Sequence, residues 1–295
     1  MTILSPNMVQ KLSRRKIVAP VKIRTGQKGE RHSQHMGSSL DFSGYRLYTP
    51  GDDVRQIDWN SFARTQKHYI KQFYDERELR IHLFIDCSRS MGLTPEKWKR
   101  TLEIASSIVI LGTSGHDSIY LIQVPKKDEL VLKGRGAKSN QRLLQNIETL
   151  QVADENFTFS KELSQSLTEI ATNHALNIVI SDALEPVEQL YSSLAMLQKK
   201  GQRTLFIRVL DPTEKEPHFY GDRKLKDIES YTLEEKDISF SQGIIRQYKK
   251  SLEEHEKLFI QFCKKRGITF AEHVVDQPLG DLMFQQLAHL GWVRG

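Results

Sequence analysis

The chain has 295 residues, 38% of them hydrophobic and 27% charged, which are the proportions of an ordinary soluble globular protein. This length suits one large α/β domain with an appendage, or two modest domains. No stretch approaches the ~18 consecutive apolar residues of a membrane span, and residues 1–10 lack the pattern of a signal sequence. Cys87 and Cys263 match no metal or redox spacing, so we expect a cytoplasmic protein with two reduced core cysteines.

The net charge of +6 is distributed unevenly. Residues 1–31 hold eight Lys and Arg and one acid, Glu30, so this arm carries +7 and the remaining residues sum to about −1. A basic arm on a neutral body suggests that residues 11–31 contact an anionic partner, whether acidic protein, phospholipid or nucleic acid. Nucleic acid is not expected, because the arm has almost no aromatic residues for stacking on bases.

The first 75 residues show little sustained apolar periodicity. We interpret residues 1–75 as a basic arm and a polar extension packed on a main domain that spans residues 76–295. The extension contains the turn sequence Pro-Gly-Asp-Asp at residues 50–53. Its arginines and aspartates predict internal charge-assisted pairs; they are Arg46, Arg55 and Arg64, with Asp41, Asp52, Asp53 and Asp58.

Beyond residue 78, apolar strands alternate with amphipathic helices. Strands are predicted at residues 81–85, 118–124, 130–132, 176–180, 204–210, 230–233 and 268–274. Helices are predicted at residues 97–111, 141–150, 160–171, 187–198, 243–266 and 279–290. Strands separated by helices of this length indicate an α/β fold with a doubly wound, mainly parallel sheet.

A concentrated group of polar side chains follows the strand at residues 81–85. Asp86, Ser88 and Ser90 form an Asp-x-Ser-x-Ser turn at the carboxyl end of this buried strand, where open α/β sheets bind ligands. Carboxylate and hydroxyl oxygens suit a hard cation such as Mg²⁺. Without further ligands, the same residues would serve equally well as loop and cap residues.

Two more ligand candidates lie on other loops. Asp182 follows the strand at residues 176–180, and parallel alignment would bring it near Asp86. Thr158 precedes the helix at residues 160–171, where it could instead cap that helix. We therefore predict a magnesium site of Asp86, Ser88, Ser90, Thr158 and Asp182. A lysine or arginine head placed between the aspartates would contradict it.

Together these residues resemble the von Willebrand factor A fold with its metal-ion-dependent adhesion site. Asp86, Ser88 and Ser90 correspond to the first loop of that site, and Thr158 and Asp182 to the second and third. The second loop departs from the usual pattern, because Thr158 lacks a glycine-rich lead and a following Asp.

The extension narrows the resemblance to one bacterial family. Residues 45–59 read Tyr-Arg-Leu-Tyr-Thr-Pro-Gly-Asp-Asp-Val-Arg-Gln-Ile-Asp-Trp. This run, directly before the first strand of the main domain, resembles the hallmark of the "domain of unknown function 58" family. The resemblance is close over residues 25–92 and follows the order of elements beyond them.

The resemblance implies a function. Members of that family are thought to work with MoxR-type AAA+ ATPases in chaperone-like assembly or maturation. By this resemblance the chain would be a non-enzymatic adaptor that uses Mg²⁺ to bind an acidic side chain of a client protein or of the ATPase. It contains no Gly-x-x-x-x-Gly-Lys-Ser/Thr loop, so we do not expect it to hydrolyse ATP.

Two alternatives belong to other classes. One is a metal-dependent hydrolase that uses His32 with Asp52, Asp53 and Asp58. The other is a module whose basic arm binds a membrane surface or nucleic acid.

Overall fold

A computed structural model gives the fold. It describes residues 3–18, 42–73, 79–126, 132–155, 157–170, 175–198, 202–217, 221–226, 235–240 and 242–295. Contacts divide the chain into two compact units, one formed by Met1–Val21 with Leu79–Gly295 and the other by Lys22–Glu78. We call the first the main unit and the second the extension unit.

The bounds of the elements follow in chain order. The strands are β1 Lys16–Ile17, β2 Phe42–Leu47, β3 Tyr69–Phe73, β4 Arg80–Asp86, β5 Ser118–Val124, β6 Leu132–Arg135, β7 Ala175–Ser181, β8 Arg203–Leu210, β9 Gly221–Lys226, β10 Glu235–Phe240, β11 Thr269–Val274 and β12 Val293–Arg294. The α-helices are α1 Pro6–Ser13, α2 Trp59–Thr65, α3 Pro95–Ser114, α4 Gly136–Thr149, α5 Phe159–Glu169, α6 Val187–Met196, α7 Pro212–Lys215, α8 Gln242–Arg266 and α9 Leu287–His289.

Within the described residues, the central sheet of the main unit has six strands in the order β11-β8-β7-β4-β5-β6. Numbered along the chain, this is the 3-2-1-4-5-6 order of doubly wound folds. The neighbouring strands are parallel except at the β5–β6 edge. The predicted fold class is therefore confirmed. The edge strand is antiparallel because residues 125–131 are too few for a crossover back to the start of the sheet.

Hydrophobic packing covers both faces of this sheet. Along β4, alternate side chains enter opposite cores, with Ile81, Leu83 and Ile85 on one face and Phe84 on the other. Helices α1, α3 and α4 supply the first core, and α5, α6 and α8 the second. Strands buried on both faces read as continuous apolar runs, which is why the sequence identifies them clearly.

The sequence suggested that the amino-terminal residues belong with the extension, but in the structure they do not. Residues 1–21 group with the main unit. In α1, Leu12 is fully buried in the first core, and β1 pairs with β12 at the other end of the chain. The extension unit thus begins near residue 22. The predicted packing of the extension on the main domain remains a prediction.

The basic arm is described only in part. Lys11, Arg14 and Lys16 are exposed on and just after α1, and Arg15 stacks its guanidinium on the Phe284 ring at 4.5 Å. The arm's other basic residues lie outside the described residues. Its contact with an anionic surface remains a prediction.

The extension unit has its own small fold. Strands β2 and β3 pair antiparallel. Ile70 of β3 forms an isolated bridge with Ile57, and both side chains are buried. Asp53 accepts a hydrogen bond from the Arg55 amide and begins a 3-10 turn. The predicted Pro-Gly turn is present, with Gly51 at φ +107°.

Elsewhere the predicted elements differ mainly at their ends. The last predicted helix, residues 279–290, is a π-helical segment at Asp281–Gln286 followed by α9. The predicted strand at residues 230–233 lies outside the described residues, although β9 and β10 on either side of it form an antiparallel pair. Among the helices of the described segments, none is both long and apolar enough to cross a membrane.

Candidate functional site

The candidate site lies at the carboxyl edge of the central sheet. Strands β4 and β7 are parallel neighbours, and the strand order reverses between them. A crevice at such a switch point is the usual ligand position in open α/β sheets. Asp86 ends β4, and Asp182 directly follows β7, so topology brings the two predicted aspartates to one place.

The Asp-x-Ser-x-Ser turn is tied together by its own polar groups. One carboxylate oxygen of Asp86 accepts a hydrogen bond from the Ser88 amide at 2.8 Å, and the other accepts one from the Ser181 hydroxyl at 2.6 Å. The Ser88 and Ser90 hydroxyl oxygens are 3.0 Å apart. Met91 is fully buried in the core directly after them, which anchors the turn to the sheet.

A lysine that the sequence did not single out completes the site. Lys97, on the first turn of α3, has a fully buried side chain. Its ammonium donates to Ser90 O at 3.0 Å, to Asp182 Oδ2 at 3.0 Å and to Glu214 Oε1 at 2.7 Å. An ammonium has three N–H donors, and these three acceptors satisfy all of them. We call Lys97, Asp182 and Glu214 the Lys97 triad.

Glu214 reaches the site from a third loop. It lies in α7, where Asp211 and Glu214 form a reciprocal capping box. The second carboxylate oxygen of Glu214 accepts from the Asp211 amide at 2.7 Å. Thr94, which caps the start of α3, donates its hydroxyl to Asp211 at 2.8 Å. The loops after β4, β7 and β8 are therefore joined by side chains from the start of α3.

The electrostatics of the site follow from this burial. Burial, and then the charge of Asp182, raise the pKa of Asp86 to about 8. Burial opposes the charged form of Lys97, but Asp182 and Glu214 outweigh it and the pKa of Lys97 is raised. Burial also raises the pKa of Glu214, against the opposing effect of Lys97. The Lys97 ammonium is therefore the group of this site whose charged form is favoured.

Thr158 is not joined to the other four predicted ligands. It is exposed and lines a cavity of about 450 Å³ between α5 and α6, together with Ser160, Lys161, Ser164, Gln189 and Ser192. Its side chain does not cap α5 either. Glu185 takes that position, accepting from the Ser160 amide at 3.0 Å. The structure thus links Asp86, Ser88, Ser90 and Asp182 but not Thr158.

These residues do not fit a divalent ion held by both aspartates. Each carboxylate oxygen of Asp86 and Asp182 already accepts a protein hydrogen bond. An ion coordinated by Asp182 Oδ2 at ~2.1 Å would lie within about 5 Å of the Lys97 ammonium. The bare repulsion would be roughly 6–7 kcal/mol at an effective dielectric constant of ~20. Within the described segments, no three His, Cys, Asp or Glu side chains form a metal-binding group.

The sequence contained a signal for Lys97. Positions 97, 101, 104, 108 and 111 follow helical spacing, and all of them are buried in α3. A lysine at the head of a buried stripe requires a partner. For Glu214 the signal is the Asp-Pro-x-Glu sequence after β8, which is a capping pattern. Neither pattern shows from the sequence alone that the two residues meet.

The aspartates of the hydrolase alternative have structural partners. Asp52 accepts from Arg46 Nη2 at 2.7 Å and from the Thr49 amide at 2.9 Å. Asp53 begins the 3-10 turn. Asp58 caps α2 through the Asn60 amide at 3.1 Å. His32 lies outside the described residues.

Fold and site together define a doubly wound α/β protein with a polar, lysine-centred cluster at its sheet switch point. The family model "Protein of unknown function DUF58" matches residues 44–258. That match covers well over half of the chain, so this chain belongs to that family, as the sequence had indicated.

Similar proteins include two from mycobacteria. "Uncharacterized protein Rv1480" of Mycobacterium tuberculosis and "Uncharacterized protein Mb1516" of Mycobacterium bovis are each 27% identical over 216 residues, which is 70% of this chain and 68% of theirs.

Similar solved structures share 11–12% sequence identity with this chain. BatB from Bacteroides thetaiotaomicron has a TM-score of 0.39, over 66% of this chain and 90% of its own. An aerotolerance-related membrane protein from Bacteroides fragilis has a TM-score of 0.38, over 66% and 91%. A von Willebrand factor type A protein from Catenulispora acidiphila has a TM-score of 0.36, over 67% and 43%.

Proposed function

We propose that this chain is a non-enzymatic protein-interaction module whose binding surface is the carboxyl edge of the central sheet. We further propose that it acts as an adaptor between a MoxR-type AAA+ ATPase and a client protein. The ATPase part rests on the family resemblance. The choice of surface rests on the geometry of the loops after β4 and β7.

Two exposed leucines on these loops support this edge of the sheet as the binding surface. Leu93 is 47% exposed and Leu184 is 36% exposed. Leu93 lies three residues after Ser90, and Leu184 two residues after Asp182, so both follow acceptors of the Lys97 ammonium. An apolar centre within a polar rim is typical of protein interfaces.

Rigid loops favour binding, because less conformational entropy is lost when a partner arrives. The Lys97 triad and the Thr94–Asp211 contact hold these loops in one arrangement. The half-buried Arg89 is likewise held, since it donates to the carbonyl of Asp154. The binding surface is thus preorganised in the isolated chain. The proposed binding requires no metal ion.

The non-enzymatic part has support from the described aspartates. Asp52, Asp53 and Asp58 each stabilise a local turn or helix start, a role that accounts for them without catalysis. These local roles favour the adaptor over the hydrolase alternative.

The test is binding to the purified MoxR-type ATPase of the same organism. The double variant Leu93→Ser/Leu184→Ser should bind at least about tenfold more weakly than the unchanged chain, a loss of ~1.4 kcal/mol. Leu258→Ser is the matched control, because Leu258 is 50% exposed on α8, and it should bind normally. No binding of the unchanged chain would refute the partner, and equal binding of the double variant would refute the surface.

A further inference from the structure

We infer that the resident cation of the sheet-edge site is the Lys97 ammonium, and that this site works without a divalent metal ion. The inference concerns the surface proposed above but needs no partner. It can be tested on the isolated chain, so its failure and the failure of the adaptor proposal can be told apart.

The first support is the completeness of the hydrogen bonds. Lys97 offers three donors, and Ser90 O, Asp182 and Glu214 accept all three at 2.7–3.0 Å. Asp86 is satisfied by the Ser88 amide and the Ser181 hydroxyl. Buried carboxylates normally need a metal or a positive partner, and Lys97 is that partner for Asp182 and Glu214.

The second support is the origin of the contacts. Lys97 bonds Asp182 and Glu214, which lie 85 and 117 residues further along the chain. It therefore joins the loops of three strands, which is the structural task that a shared metal ion would otherwise perform. We regard Lys97 as a positioning residue.

The third support is charge. An added divalent ion would face an ammonium that is shielded from solvent, since the Lys97 side chain is fully buried. Binding Mg²⁺ at Asp182 Oδ2 would require the Lys97 ammonium to leave a carboxylate oxygen that it contacts at 3.0 Å. Metal affinity is therefore expected to appear only when the ammonium is removed.

The experiment measures Mg²⁺ and Mn²⁺ binding to the full chain by titration calorimetry, and thermal unfolding with Mg²⁺ or with a chelator. The unchanged chain should give no saturable heat at this site and the same Tm in both conditions. Lys97→Met should melt at a lower temperature in chelator, and Mg²⁺ should restore part of the loss. That gain should vanish in Lys97→Met/Ser88→Ala.

The unchanged chain and two serine variants can overturn the inference, so a Lys97→Met protein that fails to fold does not weaken the test. Saturable binding of one Mg²⁺ by the unchanged chain, abolished by Ser88→Ala or Ser90→Ala, would show that the ion occupies the site beside the lysine. Binding that survives both serine substitutions would place the ion elsewhere and leave the inference standing.

Discussion

An ion pair of the extension unit and an ion-pair cluster of the main unit are built in opposite ways. In the extension unit, Asp52 bonds Arg46 only six residues away, with the arginine side chain 39% exposed. In the main unit, Lys97 bonds Asp182 and Glu214, which are 85 and 117 residues away, and the lysine is fully buried. The first contact stabilises a local turn, whereas the second connects loops that share no local sequence.

The difference is energetic as well as topological. An exposed ion pair contributes little, because water and salt screen it. A buried charge that loses its partner keeps its full desolvation cost. Removing one residue should therefore have a large effect at the sheet edge and a small one in the extension unit.

The largest effect is expected from Lys97→Met. It leaves Asp182 and Glu214 buried without their cation, so we expect a loss of roughly 3–5 kcal/mol in the free energy of unfolding. Urea unfolding followed by circular dichroism measures it. The matched control is Lys99→Met, on the exposed side of the same helix, which should change stability by less than about 0.5 kcal/mol.

Neutralising the whole Lys97 triad sharpens this result. Lys97→Met/Asp182→Asn/Glu214→Gln has no uncompensated buried charge, so it should lose less stability than Lys97→Met alone. A triple variant that loses at least as much would show that the lysine contributes packing rather than charge compensation.

A smaller, pH-dependent effect is expected at His273. Burial, and then the nearby charge of Arg100, lower the pKa of His273 to about 4, against a weaker opposite effect of Asp276. The ring nitrogen Nε2 lies 3.0 Å from Arg100 Nη1. In the unfolded chain His273 binds a proton near pH 6.5. The stability that the neutral ring contributes to the folded chain is therefore complete above that pH and is lost as the pH falls towards 4.

Thermal unfolding of His273→Gln tests the direction of this pH dependence. Gln can still accept from Arg100 but does not titrate, so the unchanged chain should lose stability relative to the variant between pH 6.5 and 4. A difference that stays constant across this interval would contradict the assignment.

The smallest effect is expected from Asp52→Ala. The substitution removes the acceptor of the Thr49 amide and of Arg46, so amide exchange of residues 45–52 should accelerate while the unfolding midpoint of the main unit stays the same. Hydrogen-exchange mass spectrometry measures the first and urea unfolding the second. A shifted midpoint of the main unit would mean that the contact is not merely local.

Much of the fold could be predicted because its signals are local. The strand at residues 118–124 agrees with β5 at both ends, since a buried strand reads as an apolar run. The predicted end of the long helix at residue 266 is also correct, because Gly267 adopts φ +70° after it. The grouping of residues 1–21 with the main unit was missed, because the pairing of β1 with β12 joins the two ends of the chain.

The features of the site likewise divide into those that local sequence predicts and those that depend on the fold. By itself the sequence determined the Asp-x-Ser-x-Ser turn, the Pro-Gly turn at residues 50–53 and the position of Asp182 directly after a strand, because a buried apolar run and the turn residues that end it are close together in the chain. Only the tertiary structure decided that Lys97 meets Asp182 and Glu214, and that Thr158 lines the cavity between α5 and α6. A buried lysine takes its partner from whichever loop the folded sheet places beside it, and helical periodicity carries no information about that loop.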